Sequence, residues 1–262
     1  MIGGGGRRRA LWFAMFWIAV GVGAYVLGVQ LELGQRAEDT ALDAAEFTYS
    51  PPPPLNLVSI PAVAIALGVV AVIALLSHGI RRAIVVTVIP VLAIVASQLL
   101  KQVWLTRPQL FDLDVPNTFP SGHMTVFTAV TAALVWAVPT RARGIVAVGG
   151  AALLAAVGWQ LLAYGWHRPS DVLGGIALGT AAFALACLIR PATSRGSIAL
   201  GRTVAVSLLV IGWLMVAGAL VLGAIAVWNE NAVTLLTAGE LGCIGATTLA
   251  SRALLLLSVG RS

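Results

Sequence analysis

The chain has 262 residues, of which 59% are hydrophobic and 10% are charged, and its mean hydropathy is +0.96. Because a soluble domain carries about 25% charged residues, this composition excludes an ordinary water-soluble domain. The net charge of +6 could suggest nucleic acid, but the basic residues stand in small groups between apolar runs, not in one stripe. We therefore expect a bilayer, and no nucleic acid, as the partner of this chain.

Eight apolar runs have the length and composition of membrane-crossing helices, although the fourth is short for a bilayer roughly 30 Å thick. Their predicted bounds are 10–29, 57–77, 83–103, 124–138, 145–164, 171–189, 203–227 and 232–257. The first run is longer than the apolar part of a signal peptide, so we expect it to be retained. The sequence thus predicts an all-α, polytopic transmembrane bundle of about eight spans, forming a single domain over residues 1–262.

The connectors between these runs alternate in charge, which predicts their orientation. Basic residues occupy one set of connectors: Arg7, Arg8, Arg9, Arg81, Arg82, Arg141, Arg143, Arg190, Arg195 and Arg202. By the positive-inside rule, this set and both termini face the cytoplasm. The other connectors face outward, among them an acidic segment of about residues 30–56 that ends in Pro51–Pro54 and is predicted to be a lid or spacer.

Ionisable residues near membrane boundaries are functional candidates, and here they converge on the outward side. Lys101, the only lysine, and Arg107 follow the third span, and each can donate charge-assisted hydrogen bonds to an anion. The alternative is that both snorkel to the interface. The ends of spans three to six meet at this side, so the sequence predicts that these two cations join the residues of two further motifs.

The second motif, Pro120-Ser121-Gly122-His123, opens the fourth span. Ser121 is a natural N-cap, and the free amides of a helix N-terminus attract anions. A plain capped helix start would explain Ser121 and Gly122 but would leave His123 unexplained. The motif therefore predicts a phosphate cradle with a histidine beside it.

The third motif, Trp166-His167-Arg168-Pro169-Ser170-Asp171, enters the sixth span. His167 and Asp171 are four residues apart, so they can share one helical face, where the carboxylate orients the imidazole and leaves its other nitrogen as a nucleophile. A purely structural His–Asp cap is the alternative.

Together the three motifs resemble the signature of the type 2 phosphatidic acid phosphatase superfamily, membrane lipid phosphatases that share a core with vanadium haloperoxidases. The pattern is lysine, a spacer and Arg-Pro, then Pro-Ser-Gly-His, then Ser-Arg, five residues, histidine, three residues and aspartate. The resemblance covers about residues 83–190. It implies a six-helix PAP2-like core. The catalytic part is expected over about residues 57–190, which hold five of the eight predicted spans, with additional spans at about 10–29, 203–227 and 232–257.

The resemblance also implies roles for individual residues. His167 resembles the nucleophile that takes the phosphoryl group, Asp171 its orienting carboxylate, and His123 the general acid. The predicted phosphate-binding residues are Lys101, Arg107, Ser121, Gly122 and Arg168. The implied activity is hydrolysis of a lipid phosphate or polyprenyl pyrophosphate at the outer face of the cytoplasmic membrane, through a phosphohistidine, with no metal and no cofactor.

Two positions depart from the family pattern. The first spacer is one residue short, and the family's Ser-Arg falls on Gln160 and Leu161, so one phosphate-binding arginine is missing. Arg168, next to His167, is a candidate for replacing that charge. The departure motivates an alternative, a catalytically weakened protein that binds, carries or senses a lipid phosphate.

Two other classes are disfavoured by the sequence. Asp112 and Asp114 could form a metal site with the two histidines, but Lys101 and Arg107 would repel a divalent cation. A transporter is disfavoured because no span is clearly interrupted at the midplane, apart from a glycine-rich stretch around Glu240. Cys187 and Cys243 lie inside apolar runs and predict no disulfide or zinc site. The use of fifteen arginines against one lysine suggests a bacterial source.

Overall fold

The computed structural model describes residues 4–110, 116–189 and 201–259. Within these ranges the protein contains nine α-helices and no strand. The helices are α1 Gly4–Ala24, α2 Glu32–Asp43, α3 Ile60–His78, α4 Ile80–Leu99, α5 Gly122–Ala137, α6 Arg143–Ala163, α7 Pro169–Ile189, α8 Gly201–Trp228 and α9 Ala232–Leu257. Both α1 and α4 continue as π-helix, to Gln30 and Trp104 respectively.

This architecture confirms the predicted polytopic helical bundle. Each of the eight apolar runs is a helix, and seven of them in the described residues are long and apolar enough to cross a membrane. The eighth, α5, is the short fourth run. The helix that sequence patterning missed is α2, in the acidic segment 30–56, because the face that it buries carries Gln35 and Glu38 instead of an apolar stripe.

The centre of the bundle is α7, which packs against α1, α4, α5 and α9. Small residues on α7 allow its neighbours to approach closely. A Cβ atom at Gly175 would lie 2.8 Å from the carbonyl oxygen of Ser121 and 2.8 Å from Cβ of Met124. Glycine at this position therefore lets the start of α5 lie directly against the first turns of α7.

The helices divide the polar residues between two ends of the bundle. At one end, Nε2 of His78 donates a 3.0 Å hydrogen bond to the carbonyl of Val138 and lies 3.3 Å from a guanidinium nitrogen of Arg143. At the other end, α4 and α6 finish and α5 and α7 begin. His123 and His167 lie at this second end, a helix length away from His78.

The segment that follows α1 folds back across this second end. Gly34 at the start of α2 has no room for a side chain, since an added Cβ would lie 1.7 Å from the carbonyl oxygen of Leu27. Further along, the side chain of Gln160 donates to the carbonyls of Pro52 and Pro53 at 3.3 and 3.1 Å. The acidic segment is thus attached to α6 at its proline-rich end.

Candidate active site

His167 and Asp171 form the pair that their spacing predicts. Nδ1 of His167 lies 3.2 Å from Oδ2 of Asp171, whose side chain is fully buried. The same carboxylate oxygen accepts hydrogen bonds from the hydroxyl of Thr118 at 2.6 Å and the backbone amide of Arg168 at 3.1 Å. Because Nδ1 is engaged by Asp171, Nε2 is the ring nitrogen left for chemistry.

The second histidine of the site, His123, lies beside the first. The ring centroids of His123 and His167 are 6.3 Å apart, and His123 also makes an edge contact with Trp166 at 5.6 Å. Two imidazoles at this separation can contact opposite sides of one small ligand. The pairing arises because α5 and α7 both begin at this end of the bundle.

The start of α5 presents backbone amides, as its capping residue predicts. Ser121 is fully buried, and its hydroxyl accepts a hydrogen bond from the amide of Met124 at 3.3 Å. The amide of Ser121 donates to the carbonyl of Asp171 at 2.9 Å, which fixes α5 against α7. Since the hydroxyl is used as the cap, this turn offers an anion the first free amides of the helix, at Gly122 and His123.

Arg107 is the clearest sign of an anion site. Its side chain is only 8% exposed, yet neither Nη1 nor Nη2 has a hydrogen-bond partner among the described residues. Burial, and then the neighbouring charge of Arg168, lower the pKa of the Arg107 guanidinium from its ordinary value. A buried cation with unpaired donors is costly, so this position favours binding of an anion.

Lys101 completes the cationic part of the site. It lies half-buried in the π-helical end of α4, and its carbonyl accepts a hydrogen bond from the side-chain amide of Asn117 at 3.2 Å. The same amide donates to the carbonyl of Leu105 at 2.9 Å. Asn117 therefore ties the Lys101–Arg107 segment to the segment leading into Ser121.

The sequence of the chain matches a known protein family. The family model of the PAP2 superfamily matches residues 64–195, half of the chain. The chain belongs to the PAP2 superfamily. No curated protein and no solved structure matches it.

The PAP2 match contains all three motifs and confirms the resemblance seen in the sequence. It begins at residue 64, inside α3, so the second span belongs to the matched region although the motifs themselves begin later. Helices α1, α2, α8 and α9 lie outside the match. The family match therefore carries no information on what these four helices contribute to the site.

At the position where the PAP2 pattern has an arginine, this chain has Leu161, which packs in the interior. Leu161 is fully buried in an apolar cluster with Leu154, Val157 and Leu162. Its carbonyl accepts hydrogen bonds from the amides of Trp166 and His167, both at 3.0 Å. Leu161 thus supports the turn that carries His167 through its backbone, and its side chain offers nothing to a phosphate.

Arg168, the candidate replacement for that arginine, is engaged by an acidic partner. Its Nε and Nη2 atoms donate to Oδ1 of Asp39 at 3.0 and 2.9 Å. It remains near Arg107, whose pKa it helps to lower. Arg168 therefore adds positive charge beside the site, balanced in part by Asp39.

The metal alternative falls on Asp112 and Asp114, which lie outside the described residues.

Sequence reasoning missed the acidic pair Glu38 and Asp39. Both belong to α2, and Glu38 is buried against Ser170, with Oε1 accepting from the backbone amide at 2.7 Å and Oε2 from the hydroxyl at 2.9 Å. The only available signal was two adjacent carboxylates in a segment with helix-forming residues, Glu32 to Asp43. Such a pair is usually solvated, so patterning alone could not place it in the interior.

We expect Glu38 to make the stability of the protein depend on pH. Burial and then the charge of Asp171 raise the pKa of Glu38 to about 7, against opposing effects from Ser170 and Arg107. Since this pKa is above the usual value near 4.5, the stabilisation is fully present below pH 4.5 and is lost as the pH rises through 7. The loss should be on the order of 3 kcal/mol.

Thermal unfolding of the wild type and Glu38→Gln in detergent, at pH 5 and pH 8, tests this expectation. Glutamine keeps an acceptor for the amide of Ser170 but carries no titratable proton. The variant should match the wild type at pH 5 and should be more stable than the wild type at pH 8. An equal difference at both pH values would contradict the assignment.

Proposed function

We propose that this PAP2 protein is an integral membrane phosphatase that hydrolyses a lipid phosphate or polyprenyl pyrophosphate through a phosphohistidine intermediate. The observation that carries the proposal is the buried Arg107, whose terminal nitrogens have no partner among the described residues, at the same end of the bundle as a histidine pair, one member of which is oriented by Asp171. Together these groups would supply an anion site, a nucleophile and a proton donor at one end of the bundle.

The reaction follows from the positions of these groups. Nε2 of His167 attacks phosphorus, and the bond from phosphorus to the leaving oxygen breaks while His123 donates a proton to that oxygen. Water then attacks the phosphohistidine, with His123 accepting the proton, and inorganic phosphate leaves. Lys101, Arg107 and the amides of Gly122 and His123 stabilise the charge on the non-bridging oxygens.

A lipid substrate is favoured by the surroundings of the site. An apolar cavity of about 250 Å³ is lined by Leu100 and Leu105, which flank Lys101, and by Phe119 and Pro120, which precede Ser121. The cavity also contacts α1 and α7, so it runs along membrane-length helices. A lipid whose headgroup occupies the phosphate site would have its hydrocarbon chain beside this apolar surface.

The proposed location is the cytoplasmic membrane, with the site on the extracytoplasmic side and both termini in the cytoplasm. Arg81, Arg82, Arg141 and Arg143 all lie at the end of the bundle opposite to His167. The positive-inside rule assigns that end to the cytoplasm. The lipid phosphate would then reach the site by lateral diffusion in the outer leaflet.

The test is release of inorganic phosphate from a panel of lipid phosphates by the purified full chain in detergent, with and without a chelator. The panel contains a polyprenyl pyrophosphate, phosphatidate, phosphatidylglycerol phosphate and a glycolipid phosphate. We expect turnover of at least one lipid, at the same rate with the chelator. Loss of turnover on chelation would favour the metal alternative.

A second candidate is a binding or regulatory protein with weakened turnover. The observation in its favour is the apolar, buried Leu161 at the position of the family arginine. Tight binding of a lipid phosphate with no phosphate release from any lipid of the panel would support this alternative and would overturn the phosphatase proposal.

A further inference from the structure

The acidic helix α2 contacts two of the three motifs of the phosphate site, although it lies outside the PAP2 match. At its buried face, Nε2 of Gln35 donates to the carbonyl of Pro108 at 3.0 Å, next to Arg107. Asp39 binds Arg168 and Glu38 binds Ser170, on either side of Pro169 and just after His167. One short helix therefore fixes the anion-binding segment and the nucleophile turn relative to each other.

We propose that Asp39 and Glu38 are positioning residues for His167, acting through Arg168 and Ser170 respectively. This inference rests on the phosphatase function proposed above. Neither carboxylate touches His167 in the described structure; each binds a neighbour of the histidine along the chain. Their effect is to fix the backbone of the turn from which the His167 ring projects.

The contacts of Asp39 have the geometry required for this role. Two nitrogens of one guanidinium bind the same carboxylate oxygen, and the Arg168 side chain is 6% exposed. The backbone amide of Arg168 donates to Asp171, the residue that orients the imidazole. Arg168 is therefore held at its side chain by α2 and at its backbone by Asp171, so a displaced side chain would pull on the His167–Asp171 pair.

The contacts of Glu38 act on the other side of Pro169. Its two oxygens bind the amide and the hydroxyl of Ser170, in the first turn of α7. Gly28 packs closely against this contact, since an added Cβ there would lie 2.6 Å from Cβ of Ser170 and 2.9 Å from Oε1 of Glu38.

The ion pair of Asp39 and Arg168 also has an electrostatic consequence. Asp39 balances Arg168, so the excess positive charge facing a phosphate comes from Lys101 and Arg107. Removing the Asp39 charge would leave Arg168 free to bind the phosphate from the side of the nucleophile. We therefore expect ground-state binding to be unchanged or tighter while the chemical step becomes slower, because the imidazole loses its alignment.

The experiment compares Asp39→Asn with Asp43→Asn in the full chain, measuring kcat, KM and the amplitude of the thermal unfolding transition, which reports the folded fraction. Asp43 is an exposed carboxylate on the same helix and is the matched control for charge. Asp39→Asn should lower kcat by about 10- to 100-fold with KM unchanged or lower and with a full unfolding amplitude. Asp43→Asn should match the wild type.

Further variants separate positioning from folding. If Asp39 acts through Arg168, the effects of Asp39→Asn and Arg168→Gln on kcat should be strongly non-additive in the double variant. Glu38→Gln, which retains hydrogen-bonding groups for Ser170, should keep most of the activity that Glu38→Ala loses.

The outcomes distinguish the two proposals. An inactive wild type would overturn the phosphatase function itself. An active wild type, with Asp39→Asn equal to Asp43→Asn in kcat, would overturn only the positioning role. A smaller unfolding amplitude in Asp39→Asn, with kcat per folded molecule unchanged, would likewise overturn it, because that pattern reports a smaller folded fraction.

Discussion

Replacing His167 with alanine is expected to reduce phosphate release from a lipid phosphate by about 10³-fold or more, the scale on which loss of a nucleophile acts. The fold should survive the change, because Asp171 keeps its hydrogen bonds from Thr118 and from the amide of Arg168. Turnover and thermal unfolding of the same detergent preparation measure the two effects separately. Unchanged turnover in His167→Ala would remove the nucleophile assignment.

A comparison with His123→Ala distinguishes the roles of the two imidazoles. An activated aryl phosphate has a leaving oxygen that needs no proton, so a general acid contributes little to its cleavage. His123→Ala should therefore be strongly impaired on a lipid phosphate but much less on the aryl phosphate, whereas His167→Ala should be impaired on both. Equal impairment of His123→Ala on both substrates would contradict its role as the acid.

The transmembrane architecture could be predicted from sequence because the solvent imposes it. A helix that crosses hydrocarbon must satisfy its backbone internally and carry an apolar surface, so each span leaves a run in the sequence. Even the shortness of α5 was visible in this way. Helix α2 obeys a different rule: its buried face is polar, and the partners that make burial possible, Ser170 and Pro108, are distant in sequence.

The histidine pair of the site could be predicted, whereas the state of its arginines could not. The spacing of His167 and Asp171 sets their contact locally, between the turn that precedes α7 and the first turn of that helix. The proximity of His123 follows from topology, since α5 and α7 begin at the same end of the bundle. The pairing of Arg168 with Asp39 bridges two segments more than a hundred residues apart, and neither periodicity nor a motif records it.

Arg107 is expected to show opposite effects on activity and stability. Replacing it with glutamine should lower kcat/KM by roughly 30- to 1,000-fold, because one charged donor to a phosphoryl group contributes about 2–4 kcal/mol to transition-state stabilisation. The same variant should unfold at an equal or higher temperature, because Arg107 is 8% exposed in the wild type and its terminal nitrogens have no partner among the described residues.

The matched control is Arg36→Gln, which removes an exposed arginine of α2 that pairs with Glu32 at 2.6 Å. Its effect on both quantities should be small, as is usual for an exposed ion pair. Inorganic orthovanadate, a mimic of the transferring phosphoryl group, should bind Arg107→Gln more weakly than Arg36→Gln. A fall in both activity and unfolding temperature on changing Arg107 would show that this side chain is held by the protein itself, and the anion site would have to be placed elsewhere. A stable but inactive Arg107→Gln would instead identify the unpaired guanidinium as a charge that the fold keeps buried for its substrate, at a cost in stability that phosphate binding offsets.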